Sequence, residues 1–388
     1  MTDQLSSNPN DRSEAIVIGA SAAGLHTACL LAQGGMPVLL FDSSEDLGSP
    51  ARTLIVTHRI KDALGSIPSQ AIVNRTSKLQ LRSAGQSTRI QLNQPDFIVE
   101  RQELIRLLAS EARAAGVEIQ RGYRCLGVDR DGDGLVVKVQ SPSGRVENIR
   151  PRILVGADGV FSKVGTDVHR NSHRTVSLMQ ATVILPKDAS SDTTQVWFDP
   201  QSTRYFHWLI PQSQQKAVVG LIADDQLQAG QALKSFLSMQ GLEPLSYQGA
   251  QVPLYSRNVM PWTTVGKTQV FLVGDAAAHV KVTTVGGVVT GLWGARAAAR
   301  AILASSDYGQ ELAALRRELN LHLLIRRVLN HLAPHDYDEL LCLISKRAKA
   351  VLAHRTRDEA GKVLFSSLVA QPKLLLFAAK SLLRSLGR

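Results

Sequence analysis

The run Gly19-Ala20-Ser21-Ala22-Ala23-Gly24 constrains this chain more than any other feature. It follows a short apolar stretch, residues 15–18, and opens a helix-forming stretch at 25–33. Gly34, Gly35 and Pro37 punctuate the end of that helix, and Val38-Leu39-Leu40-Phe41 reads as a second buried strand closed by Asp42. Strand, helix and strand within about 28 residues is the size of a parallel crossover. Gly19 permits the tight turn, and the small side chains of Ser21 and Ala23 let the backbone approach a pyrophosphate. Gly24 lets the helix pack close to the strand. The helix N-terminus then offers free N–H groups and a positive dipole end to the phosphates. Asp42, 18 residues after Gly24, is placed to accept the hydroxyls of an adenosine ribose. The pattern reads as dinucleotide binding. A hydrolase nucleophile elbow would need glycine two residues after the serine, and Ala23 stands there.

Two later segments lengthen the ligand. RILVGADGVFSKV places Asp158-Gly159 just after a strand, and VFLVGDAAAHVKVTTVGGVVTGLWGARAAA places Gly274-Asp275 after another. The second continues into a helix opened by Gly286-Gly287, expected over 286–303. In open parallel sheets a ligand crevice lies at such strand ends. One acid at an adenosine end and another beside a polyol suit a long cofactor such as FAD. Each Asp taken singly can instead be a helix N-cap.

Composition narrows the class. The 388 residues are 44% hydrophobic and 20% charged, as in globular proteins, which excludes a disordered, collagenous or coiled-coil chain. The first fifteen residues are polar and the longest apolar run near either end is six residues, 374–379. A secretory leader and a terminal membrane span are therefore not expected, and a cytoplasmic location is. Cys29, Cys125 and Cys342 are widely spaced, with no disulfide or metal-ligand pattern. The net charge of +11 is uneven. Residues 340–388 hold ten Lys or Arg and two acids, Asp358 and Glu359, hence +8. Without a helix-turn-helix, zinc-finger or stacking-aromatic pattern, nucleic acid is not the expected partner.

At this point the chain resembles the FAD-dependent oxidoreductases of the aromatic-hydroxylase superfamily, and within it the geranylgeranyl reductase family. GASAAG with Asp42, VGADG, VGDAAAHVKVTTVGG and LFSSLVAQPKLLLFAAKSLL carry the resemblance, which covers nearly the whole chain. It implies an α/β fold: a Rossmann-like FAD-binding domain, an inserted β-sheet substrate domain and a basic C-terminal helical region. The expected boundaries are a tail at 1–13, the FAD-binding domain at 14–174 and 256–308, the substrate domain at 175–255, and helices over 309–388. By resemblance, Gly19, Ser21 and Gly24 line the pyrophosphate, Asp42 meets the ribose, and Asp158-Gly159 lies beside the pyrophosphate. Arg101, and with it Arg52, would contact the ribityl and phosphate region, which Asp275 also binds. The helix opened by Gly286-Gly287 would aim its N-terminus at the flavin N1–C2=O edge, where reduced flavin carries negative charge. The chain departs from the family pattern in four places. Val282 replaces a proline, Val285 a glycine and Gly165 an arginine, and the segment SSEDLGSPARTLIVT lacks a cysteine found in many members.

The implied chemistry is reduction of isoprenoid double bonds by hydride transfer from reduced FAD. Phe206-His207-Trp208-Leu209-Ile210-Pro211 aligns with a family stretch. Alternate strand residues share a face, so Phe206, Trp208 and Ile210 would form one apolar wall for a prenyl chain, with His207 facing away. His279, four residues past Asp275, could approach the cofactor. No catalytic residue is identified. Lacking a second glycine-rich nucleotide motif, the chain would take electrons from transiently bound NADPH or from a protein donor. In QPKLLLFAAKSLLRSLGR, residues 371–388, Lys373, Lys380, Arg384 and Arg388 fall near one helical stripe behind Pro372. Such a basic amphipathic helix, 372–388, can lie peripherally on an anionic membrane, and can equally pack on the protein itself. Two alternatives stay open: a flavin monooxygenase or halogenase, since the 206–211 stretch also resembles a halogenase signature, and a flavin- or lipid-binding protein without turnover.

Overall fold

The computed structural model describes residues 14–169, 173–374 and 376–377. Its first sheet has six strands in the spatial order Trp262–Val265, Thr268–Leu272, Ile153–Gly156, Ala15–Ile18, Val38–Asp42, Glu118–Arg121. All pair in parallel except the edge hairpin of Trp262–Val265 with Thr268–Leu272. Ala15–Ile18 is flanked on both sides and buried along its whole length, which is why it reads as an unbroken apolar run. Its alternate side chains go to opposite layers. Ala15 and Val17 pack with the helices Ala22–Gln33, Arg101–Ala114 and Val288–Ala304. Ile16 and Ile18 pack with Val137, Val139 and Ile149 of a three-stranded sheet, Arg124–Asp131, Gly134–Gln140 and Val146–Ile149.

The second sheet has eight strands, ordered Pro244–Pro253, Thr175–Ile184, Lys216–Ala223, His207–Pro211, Thr193–Trp197, Ile72–Arg82, Ser87–Glu100, Thr53–Val56. This revises the expected domain boundaries. Residues 175–255 do not build the sheet alone, because three strands between residues 53 and 100 join it. The junction is a parallel ladder between Thr193–Trp197 and Ile72–Arg82. Those early strands carry mixed polar and apolar side chains with only irregular burial, so their sequence lacks a clean alternation. The helix Gln226–Met239 covers one face through Leu233, Phe236 and Leu237. The other face, with Val176, Trp208, Ile210, Val218 and Ile222, turns toward Val280 and Val285.

The helices Tyr308–Glu311, Ala313–Asn330, Pro334–Leu343, Lys346–His354 and Ala360–Ala370 complete the described chain. Leu315 and Leu319 anchor them to the core of the first sheet. Among the described residues no helix is long and apolar enough to cross a membrane. The basic stretch 372–388 falls mostly outside the described residues, as does the tail 1–13.

Candidate functional site

A cavity of about 560 Å³ runs between the two sheets, from the first turn of Ala22–Gln33 to the apolar face of His207–Pro211. At its first end the glycine turn is dictated by close approach. Gly19 has φ +104°, and a Cβ there would lie 2.4 Å from the Ala157 carbonyl oxygen. A Cβ on Gly24 would lie 2.2 Å from the Gly19 carbonyl oxygen. Ser21 caps the helix, its Oγ accepting the Gly24 N–H at 3.1 Å. Ser21, Ala22 and Ala23 line the cavity, while Gly19 and Gly24 support them from behind. Asp42 sits at the end of its strand, half-buried and outside the cavity lining. Its carboxylate accepts the Ala20 N–H at 2.6 Å and the Ser44 N–H at 2.8 Å, so it fixes the turn.

Asp158 needs a correction. Its carboxylate accepts the Ser162 hydroxyl and the N–H groups of Lys163 at 2.7 Å and Val164 at 3.2 Å. It therefore caps the helix Lys163–His169, while its neighbours Ala157 and Gly159 line the cavity. A loop that starts a helix leaves several N–H groups unpaired, and this carboxylate takes two of them.

In the middle of the cavity Arg52, Arg101 and Asp275 converge. Arg101 donates from Nη1 to the Gly48 carbonyl at 2.6 Å, and its backbone N–H bonds Arg52 O at 2.9 Å. Burial lowers the Arg52 guanidinium below its ordinary range, helped by the like charge of Arg101 and opposed by Asp275. Burial pushes the Asp275 carboxyl up, against the pull of Arg52, Arg101 and His173. Two cations against one acid leave a positive balance, the donor set that a phosphate would complete.

Next comes the glycine loop. Lys281 N–H bonds Gly286 O at 3.2 Å and Val285 N–H bonds Lys281 O at 2.7 Å. Gly287 is the N-cap of Val288–Ala304 and no side chain caps it, so the first N–H groups of this long helix face the cavity. A Cβ on Gly287 would sit 3.2 Å from Asp275 Oδ1, which places that carboxylate beside the helix start. Thr284 Oγ1 is buried in the lining without a hydrogen-bond partner. Val285 holds φ +54°, where a β-branched residue is strained.

The far end is apolar. Phe206, Trp208 and Ile210 share the cavity face, joined by Leu178, Ile222 and Val252. His207 faces away, buried, its ring stacked 4.3 Å from that of Phe236 and its Nε2 3.1 Å from Ser202 Oγ. His279 does not line the cavity. Its ring packs on Gly294, where a Cβ would fall 2.1 Å from Nδ1, and burial lowers its pKa to about 3.

The sequence reading missed an ionic cluster in the same wall. Lys281 Nζ pairs with Asp358, which also accepts the Thr57 hydroxyl. Beside it Arg357 pairs with Asp96 at 2.6 Å. All five residues line the cavity. The available signal was Asp358 itself, one of two acids in an otherwise basic run of 49 residues.

A glycine-turn parallel sheet, a cationic middle and an open helix N-terminus along one cavity define a dinucleotide-type oxidoreductase. The chain belongs to the FAD binding domain family, whose model matches residues 12–307. The cavity residues fit that group: the Ser21–Ala23 cradle, the Arg52–Arg101 pair, the orphaned Thr284 hydroxyl and the uncapped helix start lie along it in order. The protein is an FAD-dependent oxidoreductase. It is similar to the digeranylgeranylglycerophospholipid reductase of Methanococcus vannielii, 24% identical over 316 residues that span 77% of this chain and 79% of that one. The geranylgeranyl diphosphate reductase of Synechocystis sp. is 24% identical over 320 residues, 76% of each chain. Among solved structures, a geranylgeranyl bacteriochlorophyll reductase-like protein from Thermoplasma acidophilum superposes with a TM-score of 0.79 at 19% identity, covering 95% of this chain and 98% of that one. A flavin-dependent brominase superposes at 0.68 with 15% identity, covering 95% and 99%. The resemblance to the geranylgeranyl reductases read from the sequence thus holds, and the fold is shared with halogenases.

Proposed function

We propose that this protein reduces carbon–carbon double bonds of an isoprenoid, geranylgeranyl-type lipid. The observation that carries the reading is the continuity of one cavity from the glycine loop at Gly286-Gly287 to the Phe206, Trp208 and Ile210 wall. FAD, when bound and reduced, supplies the hydride. Ser21, Ala23 and the supporting glycines Gly19 and Gly24 would hold its pyrophosphate, with Asp42 bracing the turn at the adenosine end. Arg52, Arg101 and Asp275 would position the ribityl and phosphate region, and the start of Val288–Ala304 would stabilise negative charge at the flavin edge. Phe206, Trp208 and Ile210 would orient the prenyl chain and keep water out. Each reduced double bond also needs a proton. Lys281 Nζ, which pairs with Asp358 at the edge of the glycine loop and lines the cavity, would deliver one. NADPH bound transiently, or a protein donor, would return the electrons.

A mass measurement tests this. The protein is reduced with dithionite without oxygen, given geranylgeranylated lipid, and the product is weighed. A gain of two hydrogens per double bond supports the reading. Reoxidation only on admitting air, with the lipid unchanged, would favour monooxygenase or halogenase chemistry instead. Peripheral attachment to an anionic membrane through 372–388 belongs to the same proposal. Flotation with anionic liposomes before and after removing those residues checks it, and equal flotation would discard the role of the tail.

A further inference from the structure

Behind the cavity lies a second pocket of about 740 Å³ that the proposed chemistry does not use. Five arginines line it: Arg174, Arg204, Arg257, Arg326 and Arg327, with no acid among the lining residues. Arg204 pairs with Asp224 outside the pocket. Among the described residues none of the other four pairs with a carboxylate. Arg257 spends Nε on Asn320 Oδ1 at 2.9 Å, and Arg326 spends Nε on Asn330 Oδ1 at 2.6 Å and Nη2 on the Arg204 carbonyl oxygen, which leaves the remaining N–H groups of the cluster for a ligand. The Arg204 Nε is buried without a hydrogen-bond partner. Clustered guanidinium groups repel one another, and Arg326 is only 6% exposed, so solvent screens it little. Apart from Asp224 on Arg204, this arrangement has no partner of opposite charge among the described residues. Planar forks with several free N–H groups match phosphate oxygens better than they match a halide or a single carboxylate.

The two cavities meet at one place. Tyr205 and Arg326 line both, with the guanidinium carbon of Arg326 4.6 Å from the centre of the Tyr205 ring. One side of this pair is apolar, with Phe206 and Trp208, and the other is the arginine pocket.

We infer that the arginine pocket binds the phosphate or diphosphate group of a phosphate ester. The group would sit among Arg204, Arg257, Arg326 and Arg327. An apolar chain attached to it would pass Tyr205 into the cavity. Assigning the ester to the lipid substrate rests on the reductase reading; the anion site itself does not. The same chemistry could come from the phosphates of a dinucleotide donor, and the experiment separates the two.

The test uses the intact FAD-loaded protein and begins without turnover. Inorganic pyrophosphate is titrated calorimetrically into the wild type and into Arg257→Gln/Arg327→Gln. Both arginines are exposed and lie outside the cavity assigned to chemistry. The flavin absorbance of the variant checks that it has folded. Loss of roughly tenfold affinity per guanidinium removed is expected. No binding to the wild type, or equal binding to both, overturns the site whether or not the protein is a reductase. Turnover then identifies the source. A KM raised for geranylgeranyl diphosphate but not for geranylgeraniol assigns the pocket to the lipid headgroup. A KM raised for NADPH alone assigns it to the donor. Pyrophosphate binding that is weakened by the substitutions with every KM unchanged would mark an adventitious anion surface and sink the proposal. If neither lipid is turned over, the reductase reading fails while the calorimetry still decides the site.

Discussion

Asp358 holds Lys281 across 77 positions of sequence, and both side chains are buried in the wall of the cavity. The carboxylate comes from the segment before Ala360–Ala370, and the ammonium from the loop that ends at Gly287. The Lys281 ammonium also borders the turn, since a Cβ on Gly286 would lie 3.5 Å from Nζ. Burial lowers the Lys281 ammonium below its ordinary range while Asp358 pulls it back up; Asp358 itself is held below the usual carboxylate range by Lys281 and Arg357 despite burial.

Removing one partner should therefore hurt more than removing both. Lys281→Met or Asp358→Asn each leaves a buried charge without its mate, at a cost of about 3–5 kcal/mol. The double variant should recover part of that loss. Urea midpoints for the four proteins check it, and strictly additive losses would show that the pair is not coupled.

Gly24→Ala should disrupt both stability and cofactor retention. The new methyl would fall 2.2 Å from a backbone carbonyl oxygen, which no side-chain rearrangement relieves. Overpacking costs about 1–3 kcal/mol and displaces the turn that cradles the pyrophosphate. Gly230→Ala is the control, because the nearest neighbour of its new methyl would be Met179 Sδ at 3.9 Å, an ordinary van der Waals contact. The first variant should purify with little flavin absorbance, and the second with a full complement.

Stability should fall on mild acidification. Burial lowers the pKa of His26 and His207 to about 4, and that of His322, beside Lys281, to about 3. A histidine whose folded pKa is depressed stabilises the fold above its unfolded value of about 6.5, and that contribution is lost as pH drops toward the folded pKa. Each such ring is worth about 1.4 kcal/mol per unit of depression. His207→Phe, which keeps the stack on Phe236, should flatten the decline between pH 6.5 and 4. Parallel pH–stability curves for the two proteins would rule His207 out as a contributor.

Phe206→Ala should raise KM for a prenyl lipid more than it lowers kcat. The ring is only partly buried, so its loss removes about 1–2 kcal/mol of apolar contact with ligand rather than a core support. A change confined to kcat would place the ring in the chemistry instead of the wall.

The nucleotide end was legible because its constraints are local. Gly19, Gly24 and Asp42 lie within one crossover, and each is fixed by atoms of the same turn or its neighbouring strands. The strand face of Phe206, Trp208 and Ile210 was legible from a period of two, and His207 turned away as that period requires. Asp158 illustrates the reverse case. Its position after a strand suits a ligand acid and a helix cap equally, and only the N–H groups of Lys163 and Val164 decide. Between residues 53 and 100 the alternating stretches at 78–81 and 90–92 were legible, but their place in the second sheet was not, because a parallel ladder of Ile72–Arg82 to a strand 115 positions away sets it. The ionic cluster escaped for a related reason: Thr57, Lys281 and Asp358 meet only once nearly the whole chain has folded.

That last relationship sets an order of manufacture. The glycine turn, both sheets and the long helix from Val288 all leave the ribosome before Asp358 does. Until then the emerging protein carries a buried-to-be ammonium without its ion-pair partner, facing a greasy hollow. The segment that carries Asp358 thus acts as the keystone of the vault: the chamber closes electrically only when that carboxylate arrives from the opposite side.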